Sequence, residues 1–398
     1  MINVLTVSHS LIPSVLLCGH AQLLYLENQG RINYRFLEAK DINGKDLSWA
    51  DIVVYVRSES DLEEYSAKLC QGKKHMIYAL DDDLLNLPDG LSSSKYYALE
   101  NIHNNIISIM DKSDTFLSPS NVLINKYGED FKNVYQIDEP SLNAVNEKIT
   151  NEKIKIGFAG SIDRTQDINQ ILEECLIKVI EKYGDSVEIE FMGARPSIVD
   201  TYNLKYIPYQ EGYENYTKIV GEANWDIGLA PMPDTEFHSC KYFNKYVEYA
   251  SFGIAGVYSN VVPYTKGIRN EENGLLVNNN SNEWFDAICR LIDDSVLRKN
   301  ISNRCVYEAN TIYSLPYLAN DYYEKITEGY EVREREEING FWKYRVKSFF
   351  VRVIYKIKEQ KLMLPFWMIN KLWRIIIGKN NKNNALVNLN DVTNNKLK

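Results

Sequence analysis

Short apolar runs alternate with longer stretches of helical periodicity along most of the chain. In the first part, the apolar runs predict strands at residues 2–8, 31–37, 51–57, 75–80, 115–118 and 133–137. In the second part, they predict strands at residues 153–160, 187–192, 225–231, 254–258 and 274–277. Helical patterns fill the intervals, as at residues 14–29, 96–110, 167–183, 214–223 and 282–293. Strands that alternate with helices predict an α/β fold of parallel, doubly wound sheets.

The strand series stops and restarts around a polar stretch, which we interpret as a linker at residues 141–152. We therefore predict one Rossmann-like domain at 1–140 and a second at 153–310. A helical return segment is expected at 311–338 and a basic amphipathic tail at 339–398. Two successive α/β domains form a cleft, and such folds bind ligands at the carboxyl ends of their strands.

Composition places the protein in a reducing compartment. The six cysteines are scattered without a Cys-x-x-Cys pair, which argues against a zinc site or a disulfide framework. The first residues read as a strand rather than as a secretory signal. We therefore expect a cytoplasmic protein.

The tail differs in charge from the rest of the chain. Residues 339–398 hold 13 lysines and arginines against two acidic residues, although the whole chain has a formal net charge of −9. Its apolar stretch at 363–377 is shorter than the ~20 residues that span a bilayer. Aromatic residues interleaved with cations favour peripheral association with an anionic membrane surface, on the inner membrane face. Packing onto the first domain and binding of nucleic acid are the alternatives, and we expect no nucleic acid partner.

One stretch in the second domain combines cations and a carboxylate on a single predicted helix. The helix is expected from Lys241 to Phe252, with Ser239 as N-cap and Gly253 just past its end. Lys241, Lys245 and Glu248 then share one face. Cations at a helix start cost about 0.3–1 kcal/mol each unless an anion such as phosphate is bound there. A solvated helix with internal salt bridges is the alternative.

These residues resemble a known family. The motifs Trp225-Asp-Ile-Gly-Leu-Ala-Pro, the run from Cys240 to Ser259, Asn273-Gly-Leu-Leu-Val and Ile156-Gly-Phe-Ala-Gly-Ser resemble the donor domain of GT-B glycosyltransferases. The family-4-like group of bacterial surface polysaccharide assembly is the most similar. The resemblance implies transfer of a sugar from a nucleotide-sugar to a glycan or lipid-linked acceptor, without a metal. The nucleotide-sugar is then the donor substrate rather than a cofactor, and the first domain faces the acceptor.

The resemblance also implies which residues bind the donor. Glu248 matches the glutamate that holds the donor ribose, and the other expected contacts surround the diphosphate: Gly160, Ser161, Arg164, His238, Lys241 and Lys245. The chain departs from the family at two places. Cys240 stands where a second glutamate is usual, and the usual Arg and Lys pair after the first strand is absent, with only Arg164 nearby.

Catalytic candidates follow strands of the first domain. Asp82, in the run Asp81-Asp-Asp83, is a candidate acceptor contact or general base, and His9 is a candidate base in the cleft. The alternatives are a solvated turn for the acidic run and a structural role for the histidine. A GT-A-type metal site at Asp81 and Asp83 is a further alternative, although the double α/β pattern contradicts that layout. Tyr213 and Tyr216 are expected in the core.

Two other functions fit the same residues. Some nucleotide-sugar 2-epimerases share this fold and this manner of binding the donor. A non-catalytic partner subunit that retains the fold is the other, because the usual cations are missing.

Overall fold

The computed structural model describes residues 1–332 and 336–341, and within them two sheets contain six parallel strands each. The first sheet consists of Ile2–Ser8 (β1), Ile32–Glu38 (β2), Ile52–Val56 (β3), His75–Ala79 (β4), Thr115–Ser118 (β5) and Asn133–Gln136 (β6). The second consists of Ile154–Gly160 (β7), Val187–Gly193 (β8), Lys205–Ile207 (β9), Ile227–Ala230 (β10), Ala255–Ser259 (β11) and Leu275–Val277 (β12). The predicted pair of Rossmann-like sheets is confirmed.

Helices connect the strands of both sheets. Those before the second sheet are Pro13–Val15 (α1), Ala21–Asn28 (α2), Gly44–Trp49 (α3), Asp61–Cys70 (α4), Ser94–Tyr97 (α5), Glu100–Met110 (α6) and Asn121–Tyr127 (α7). Those that follow are Thr165–Ile171 (α8), Glu173–Tyr183 (α9), Ser197–Thr201 (α10), Tyr213–Ala223 (α11), Glu236–Ser239 (α12), Asn244–Ser251 (α13), Tyr264–Gly267 (α14), Ser281–Asp293 (α15), Ser295–Asn310 (α16) and Leu315–Thr327 (α17). A π-helical segment at Leu16–His20 and short 3₁₀ turns complete the set.

The strand order places one topological switch point in each sheet. The first sheet runs β2-β1-β3-β4-β5-β6, so the order reverses between β1 and β3. The second runs β12-β11-β10-β7-β8-β9, so the order reverses between β10 and β7. Loops that leave neighbouring strands in opposite directions open a crevice at such a point, which is where doubly wound folds bind ligands.

Burial on both faces explains why the strands are almost continuously apolar. All five residues of β3 are buried, as are all five of β4 and of β11. In the second core, Gly157 lies against Trp225 so closely that a Cβ atom on Gly157 would be 1.8 Å from the indole. The Trp225 indole N–H donates to buried Glu190 over 2.8 Å. This glycine is therefore required by packing.

The predicted helix at 14–29 is interrupted. Gly19 has a φ of 154°, and a Cβ atom there would lie 2.4 Å from the Tyr322 hydroxyl oxygen of α17. The chain turns through the π-helical segment at this point and resumes as α2. α17 also contributes Ala319, Tyr322 and Ile326 to the core of the first sheet. The helix predicted at 167–183 is likewise divided into α8 and α9, and β9 was not predicted.

The helix predicted from Lys241 begins instead at Asn244. Phe243 occupies the N-cap position without a side-chain hydrogen bond, and Ser239 ends the separate turn α12, which Thr235 caps. Cys240, Tyr242 and Phe243 are buried, so the chain between α12 and α13 packs these side chains inward instead of continuing the helix. Lys241 therefore precedes α13, and it does not share a helix face with Lys245 and Glu248 as was expected. Gly253, with a φ of 63°, follows the helix as predicted.

The contacts divide the chain into two units. The first comprises residues 1–42 and 49–336, and the second includes residues 43–48 and 337–341. In the second, the Ile338 N–H donates to the Ser48 hydroxyl oxygen over 2.8 Å. Beyond residue 341, the predicted tail lies outside the described residues. In the part that is described, no helix has the length and apolar character needed to cross a membrane.

Candidate functional site

A cavity of about 200 Å³ opens at the switch point of the second sheet. Gly160 and Ser161, at the end of β7, form part of its wall, and Lys245 and Glu248 of α13 form another part. These are four of the residues that the sequence assigned to donor binding. Tyr213 and Tyr216 of α11 complete this side of the cavity.

Glu248 is bound through one of its two carboxylate oxygens. Its Oε2 accepts hydrogen bonds from the Tyr216 hydroxyl, over 2.8 Å, and from the Lys245 ammonium. Both hydrogen bonds reach Oε2, so among the described residues Oε1 remains available to a ligand, and the side chain is 14% exposed. A carboxylate held in this way can accept further hydrogen bonds from the hydroxyl groups of a ligand.

Tyr213 and Tyr216 were expected in the core. Tyr216 does pack against the core of the second sheet, whereas Tyr213 is not among the described residues of that core, and both line the cavity. Their rings lie 6.0 Å apart at the cavity wall, and burial raises the pKa of each hydroxyl well above its usual value. The spacing on α11 gave no signal because Glu248, the partner of Tyr216, lies 32 residues away. Tyr216 thus fixes the carboxylate and offers an aromatic surface.

Small residues bring two strand ends together at the cavity. Gly193, at the end of β8, has a φ of 79°, and a Cβ atom there would lie 2.1 Å from the carbonyl oxygen of Gly160. Gly160 and Ser161 then lead directly into a short 3₁₀ turn. A turn of this kind allows a ligand to approach the backbone closely.

Arg164, His238 and Lys241 form a neighbouring group in which the arginine and the lysine are the cations, and in the described structure none of the three lines the cavity. Arg164 donates to the Pro231 carbonyl oxygen, and its Nε lies 3.2 Å from Asp167 Oδ2. Burial, with the charges of Arg164 and Lys241, lowers the pKa of His238 to about 4. His238 is therefore neutral near pH 7, and its Nδ1 lies 2.7 Å from the Thr235 hydroxyl oxygen.

Lys241 pairs with Asp82, which follows β4 of the first sheet. The Lys241 Nζ lies 2.6 Å from Asp82 Oδ1, and Arg57 Nη1 lies 3.1 Å from Asp82 Oδ2. Burial acts to raise the pKa of Asp82, but Lys241 and Arg57 more than offset it and hold the pKa well below its usual value. Asp82 is therefore a weak base in this arrangement, and the structure places it as the partner of a predicted phosphate ligand.

The acidic run is not a solvated turn, which was the alternative interpretation of the sequence. Asp81 accepts a 2.6 Å hydrogen bond from Arg57, and Asp83 accepts from Lys126 over 2.8 Å and from the Tyr127 hydroxyl. Each of the three carboxylates thus faces at least one cation, which opposes a divalent ion at this run.

Asp81 also lies near two potential metal ligands. Among the described residues, ligand atoms of Cys18, Asp81 and Glu139 lie within 4.8 Å of one another. Burial raises the pKa of the Cys18 thiol and of the Glu139 carboxyl well above their usual values. Burial therefore disfavours the ionised forms of both groups, which metal ligation requires.

A second cavity, of about 330 Å³, opens at the switch point of the first sheet. His9, which follows β1, and Arg57 and Glu59, which follow β3, line it together with Tyr96 and Tyr97 of α5. The His9 Nδ1 lies 3.8 Å from Glu59 Oε1. The sequence assigned His9 to the cleft, but Arg57 and Glu59 were missed. Their position immediately after a buried strand was the available signal.

Comparison with known proteins gives structural matches only. No protein-family model matches the sequence, and no curated protein matches it. Anabaena Alr3699/HepE in complex with UDP-glucose aligns with a TM-score of 0.57 at 11% identity, covering 82% of this chain and all of that one. Sucrose-phosphate synthase from Thermosynechococcus elongatus aligns with a TM-score of 0.57 at 11% identity, over 83% and 100% of the two chains.

A third match has a different assigned activity. A Listeria monocytogenes protein assigned provisionally as a UDP-N-acetylglucosamine 2-epimerase aligns with a TM-score of 0.53 at 12% identity, over 84% of this chain and 98% of that one. At such identities, the three likenesses establish a shared fold.

Proposed function

We propose that this chain, which has the GT-B fold, is a glycosyltransferase that moves a hexosyl group from a nucleotide-sugar to a glycan or lipid-linked acceptor. The observation that carries the proposal is the convergence of Glu248, Lys245 and Tyr216 on the cavity at the switch point of the second sheet. Glu248 offers an acceptor for ribose hydroxyls, and Tyr213 and Tyr216 offer rings for the base. The fold shared with a UDP-glucose complex supports the same assignment.

The charge distribution suits the leaving group of such a reaction. When the bond between the sugar and the diphosphate breaks, negative charge grows on the β-phosphate. Lys245 at the cavity, with Arg164 and Lys241 in the neighbouring group, supplies cations for that charge. Because Lys241 is paired with Asp82 before donor binding, a diphosphate would compete with Asp82 for it.

Epimerisation at C2 of a nucleotide-sugar is the second candidate, because one structural match carries that provisional assignment. Incubation with a nucleotide-sugar alone separates the two reactions. A transferase releases nucleoside diphosphate when an acceptor is added and leaves the donor sugar unchanged without one. Formation of the 2-epimer from donor alone, followed by NMR, would replace transfer by epimerisation.

We predict that activity persists in EDTA. The charge of the diphosphate is met by lysines, and the carboxylates of Asp81 and Asp83 are already paired with cations. The initial rate of nucleotide release should differ less than twofold between a buffer with about millimolar EDTA and a buffer with Mg²⁺ or Mn²⁺. Complete loss in EDTA with recovery on adding Mn²⁺ would instead favour a metal site at the acidic run.

We also propose that the enzyme acts at the cytoplasmic face of the membrane in cell-surface polysaccharide assembly, docked by its tail. Residues 341–379 carry ten lysines and arginines against one glutamate, beside seven large aromatic residues of the types Trp and Phe. Each cation near an anionic leaflet contributes about 1 kcal/mol, and buried apolar area adds to that. An acceptor anchored in a membrane would then meet the cleft at the surface.

Truncation after Ile338 should abolish sedimentation with anionic vesicles while leaving a folded, nucleotide-binding protein. Binding of the full chain should weaken as salt rises, because the charges are screened over about 10 Å at 0.1 M salt, but apolar contacts should keep it measurable. Vesicles of neutral phosphatidylcholine are the control. If the full chain does not sediment with anionic vesicles at low salt, the tail does not bind membranes.

A further inference from the structure

A carboxylate that follows a strand of the first sheet is paired with a cation of the second domain. Asp82 follows β4, and its Oδ1 lies 2.6 Å from the Nζ of Lys241, which precedes α13. Its Oδ2 lies 3.1 Å from the Nη1 of Arg57, which follows β3. The side chains of Asp82 and Lys241 are each 25% exposed, so solvent screens this pair less than a fully exposed ion pair. One carboxylate thus joins loops that follow both sheets.

The ion pair of Asp82 borders the cavity at the switch point of the second sheet (the donor cavity). Arg57 Nη1 lies 3.4 Å from the hydroxyl oxygen of Ser14, and Ser14 lines that cavity. The backbone of Arg57 has a φ of 51°, in the left-handed region that residues with side chains rarely adopt, and its N–H donates to the Ala79 carbonyl oxygen over 3.0 Å. Such conformations are concentrated at functional sites. The contacts from Lys241 through Asp82 and Arg57 therefore end at the donor cavity.

The order of residues around α13 places Lys241 beyond the expected ribose contact. Glu248 is four residues past Asn244, the first residue of the helix, whereas Lys241 is three residues before Asn244. At about 1.5 Å per residue, Glu248 is about 6 Å from the helix start. Arg164 borders the cavity at the end of β7, where a Cβ atom on Gly160 would lie 3.4 Å from Arg164 Cγ. A diphosphate that extends from a ribose at Glu248 towards the helix start would therefore approach Lys241.

Asp82 supplies negative charge to this cationic region. Burial lowers the pKa of His238, the charges of Arg164 and Lys241 lower it further, and Asp82 acts in the opposite sense. Burial acts to raise the pKa of Asp82 itself, but Lys241 and Arg57 more than offset it, so the carboxyl is ionised at neutral pH. An ionised carboxylate accepts the same charge-assisted hydrogen bond from an ammonium as a phosphate oxygen does. Asp82 and a phosphate are therefore alternative partners of Lys241.

We infer that Asp82 is an internal competitor of the donor's diphosphate, which weakens the binding of nucleoside diphosphates and promotes their release after transfer, a proposal that rests on the proposed transferase function. While the pair is formed, Asp82 neutralises the charge of Lys241, so a phosphate oxygen gains less from that charge. Affinity is therefore lowered for ligands that place a phosphate at Lys241 and is unchanged for a nucleoside. When the pair re-forms after transfer, it favours departure of the nucleoside diphosphate.

Asp82→Asn tests the inference, because asparagine keeps the size of the side chain and removes its charge. Calorimetry is run with UDP, GDP, ADP, CDP and TDP, and with the nucleoside of the diphosphate that wild type binds most tightly. The Kd of that diphosphate should fall about 10-fold, which corresponds to about 1.4 kcal/mol at 25 °C, whereas the Kd of the nucleoside should be unchanged. The dissociation rate constant of the diphosphate, from stopped-flow displacement, should fall by a similar factor.

Two further variants show whether the effect passes through Lys241. Lys241→Ala should bind the diphosphate more weakly than wild type, and adding Asp82→Asn to it should change that Kd by less than about twofold, because no lysine remains to be released. Glu236→Gln is the matched control: Glu236 is an 82% exposed carboxylate of α12 that pairs with Lys126 instead, and its loss should leave the Kd within about twofold of wild type. Thermal unfolding verifies that each variant folds, and Asp82→Ser, a second neutral replacement, should give the same result as Asp82→Asn.

The direction of the change in Kd separates competition from structural support. Unchanged or weaker binding of the diphosphate by folded Asp82→Asn overturns the inference, because a residue that only positions Lys241 or supports the fold gives that result. Tighter binding that persists in the Lys241→Ala background, or that Glu236→Gln reproduces, overturns it as well. A wild-type protein that binds none of the diphosphates contradicts the proposed function itself. The competition is then tested with inorganic pyrophosphate, which Asp82→Asn should bind more tightly than wild type, and equal binding overturns the inference.

Discussion

Replacing Glu248 with alanine should raise the Kd for nucleoside diphosphate about 100-fold. A hydrogen bond to a charged group contributes about 1.5–3 kcal/mol, and the Glu248 carboxylate has an oxygen available for ribose hydroxyls. Folding should suffer less, because the side chain is partly exposed at the cavity and its partners, Lys245 and Tyr216, can meet water there. Isothermal calorimetry measures the affinity, and urea unfolding measures the stability.

Glu181→Ala is the matched control for this experiment. Glu181 is an exposed glutamate on α9 of the same domain, away from the cavity. Its loss should leave both the Kd and the free energy of unfolding unchanged within about 0.5 kcal/mol. Equal binding of nucleotide by Glu248→Ala and wild type would remove Glu248 from the site.

Glu308→Gln should destabilise the protein by about 1–3 kcal/mol. Glu308 on α16 is 1% exposed and accepts hydrogen bonds from Tyr246 of α13 and from Asn273, Arg269 and Arg304. Arg269 and Arg304 are 44% and 46% exposed, so water can solvate their charges after the substitution. The loss therefore comes mainly from the buried hydroxyl of Tyr246 and the buried amide of Asn273, whose hydrogen bonds to the carboxylate are weakened. Because Tyr246 belongs to the helix that carries Glu248, the same loss should loosen the donor cavity.

The pH dependence of this effect has a definite sign. Burial acts to raise the pKa of Glu308, but its hydrogen bonds and the arginines more than offset it, so that the pKa is lowered from 4.5. The stabilisation is therefore complete above pH 4.5 and is lost as pH falls through the lower, folded-state pKa. The difference in urea stability between wild type and Glu308→Gln should narrow below about pH 4.

Glu272→Gln is the control, because it removes an exposed partner of Arg269, and it should cost less than 1 kcal/mol of stability. A similar loss of stability in both variants would contradict this account.

Local pattern predicted the sheets because their strands are buried on both faces. β3 appears in the sequence as an uninterrupted apolar run, and Ser259 is the one polar residue of β11. The interruption at Gly19 could not be predicted, since it depends on Tyr322, which lies about 300 residues away in sequence. The start of α13 was misplaced for a similar reason: the burial of Tyr242 and Phe243 is a tertiary effect that helical spacing does not reveal.

The candidate site divides in the same way. Gly160, Ser161, Lys245 and Glu248 line one cavity, and the motifs could group them because a strand end and a helix are both local features. Their role in donor binding stays a prediction. Tyr216 and Glu59 were missed, since each gains its importance from a residue on another element: Glu248 for the first, His9 and Arg57 for the second. Lys241 was predicted to begin the helix, and its pairing with Asp82 was not predicted. That pairing could not be read from the local pattern, because Asp82 lies 159 residues away.

A thermal-shift screen of nucleoside diphosphates tests most directly that the second-sheet cavity binds a nucleotide-sugar donor. At 100 times its Kd, a ligand adds about 2.7 kcal/mol to the stability of the folded state. The account predicts a clear rise in Tm with at least one nucleoside diphosphate, a smaller rise with the matching nucleoside, and a much smaller rise in Glu248→Ala at the same concentration, since a 100-fold higher Kd leaves about 0.4 kcal/mol of stabilisation. Wild-type protein whose Tm is unmoved by every diphosphate at millimolar concentration, or a rise of equal size in Glu248→Ala, would contradict it.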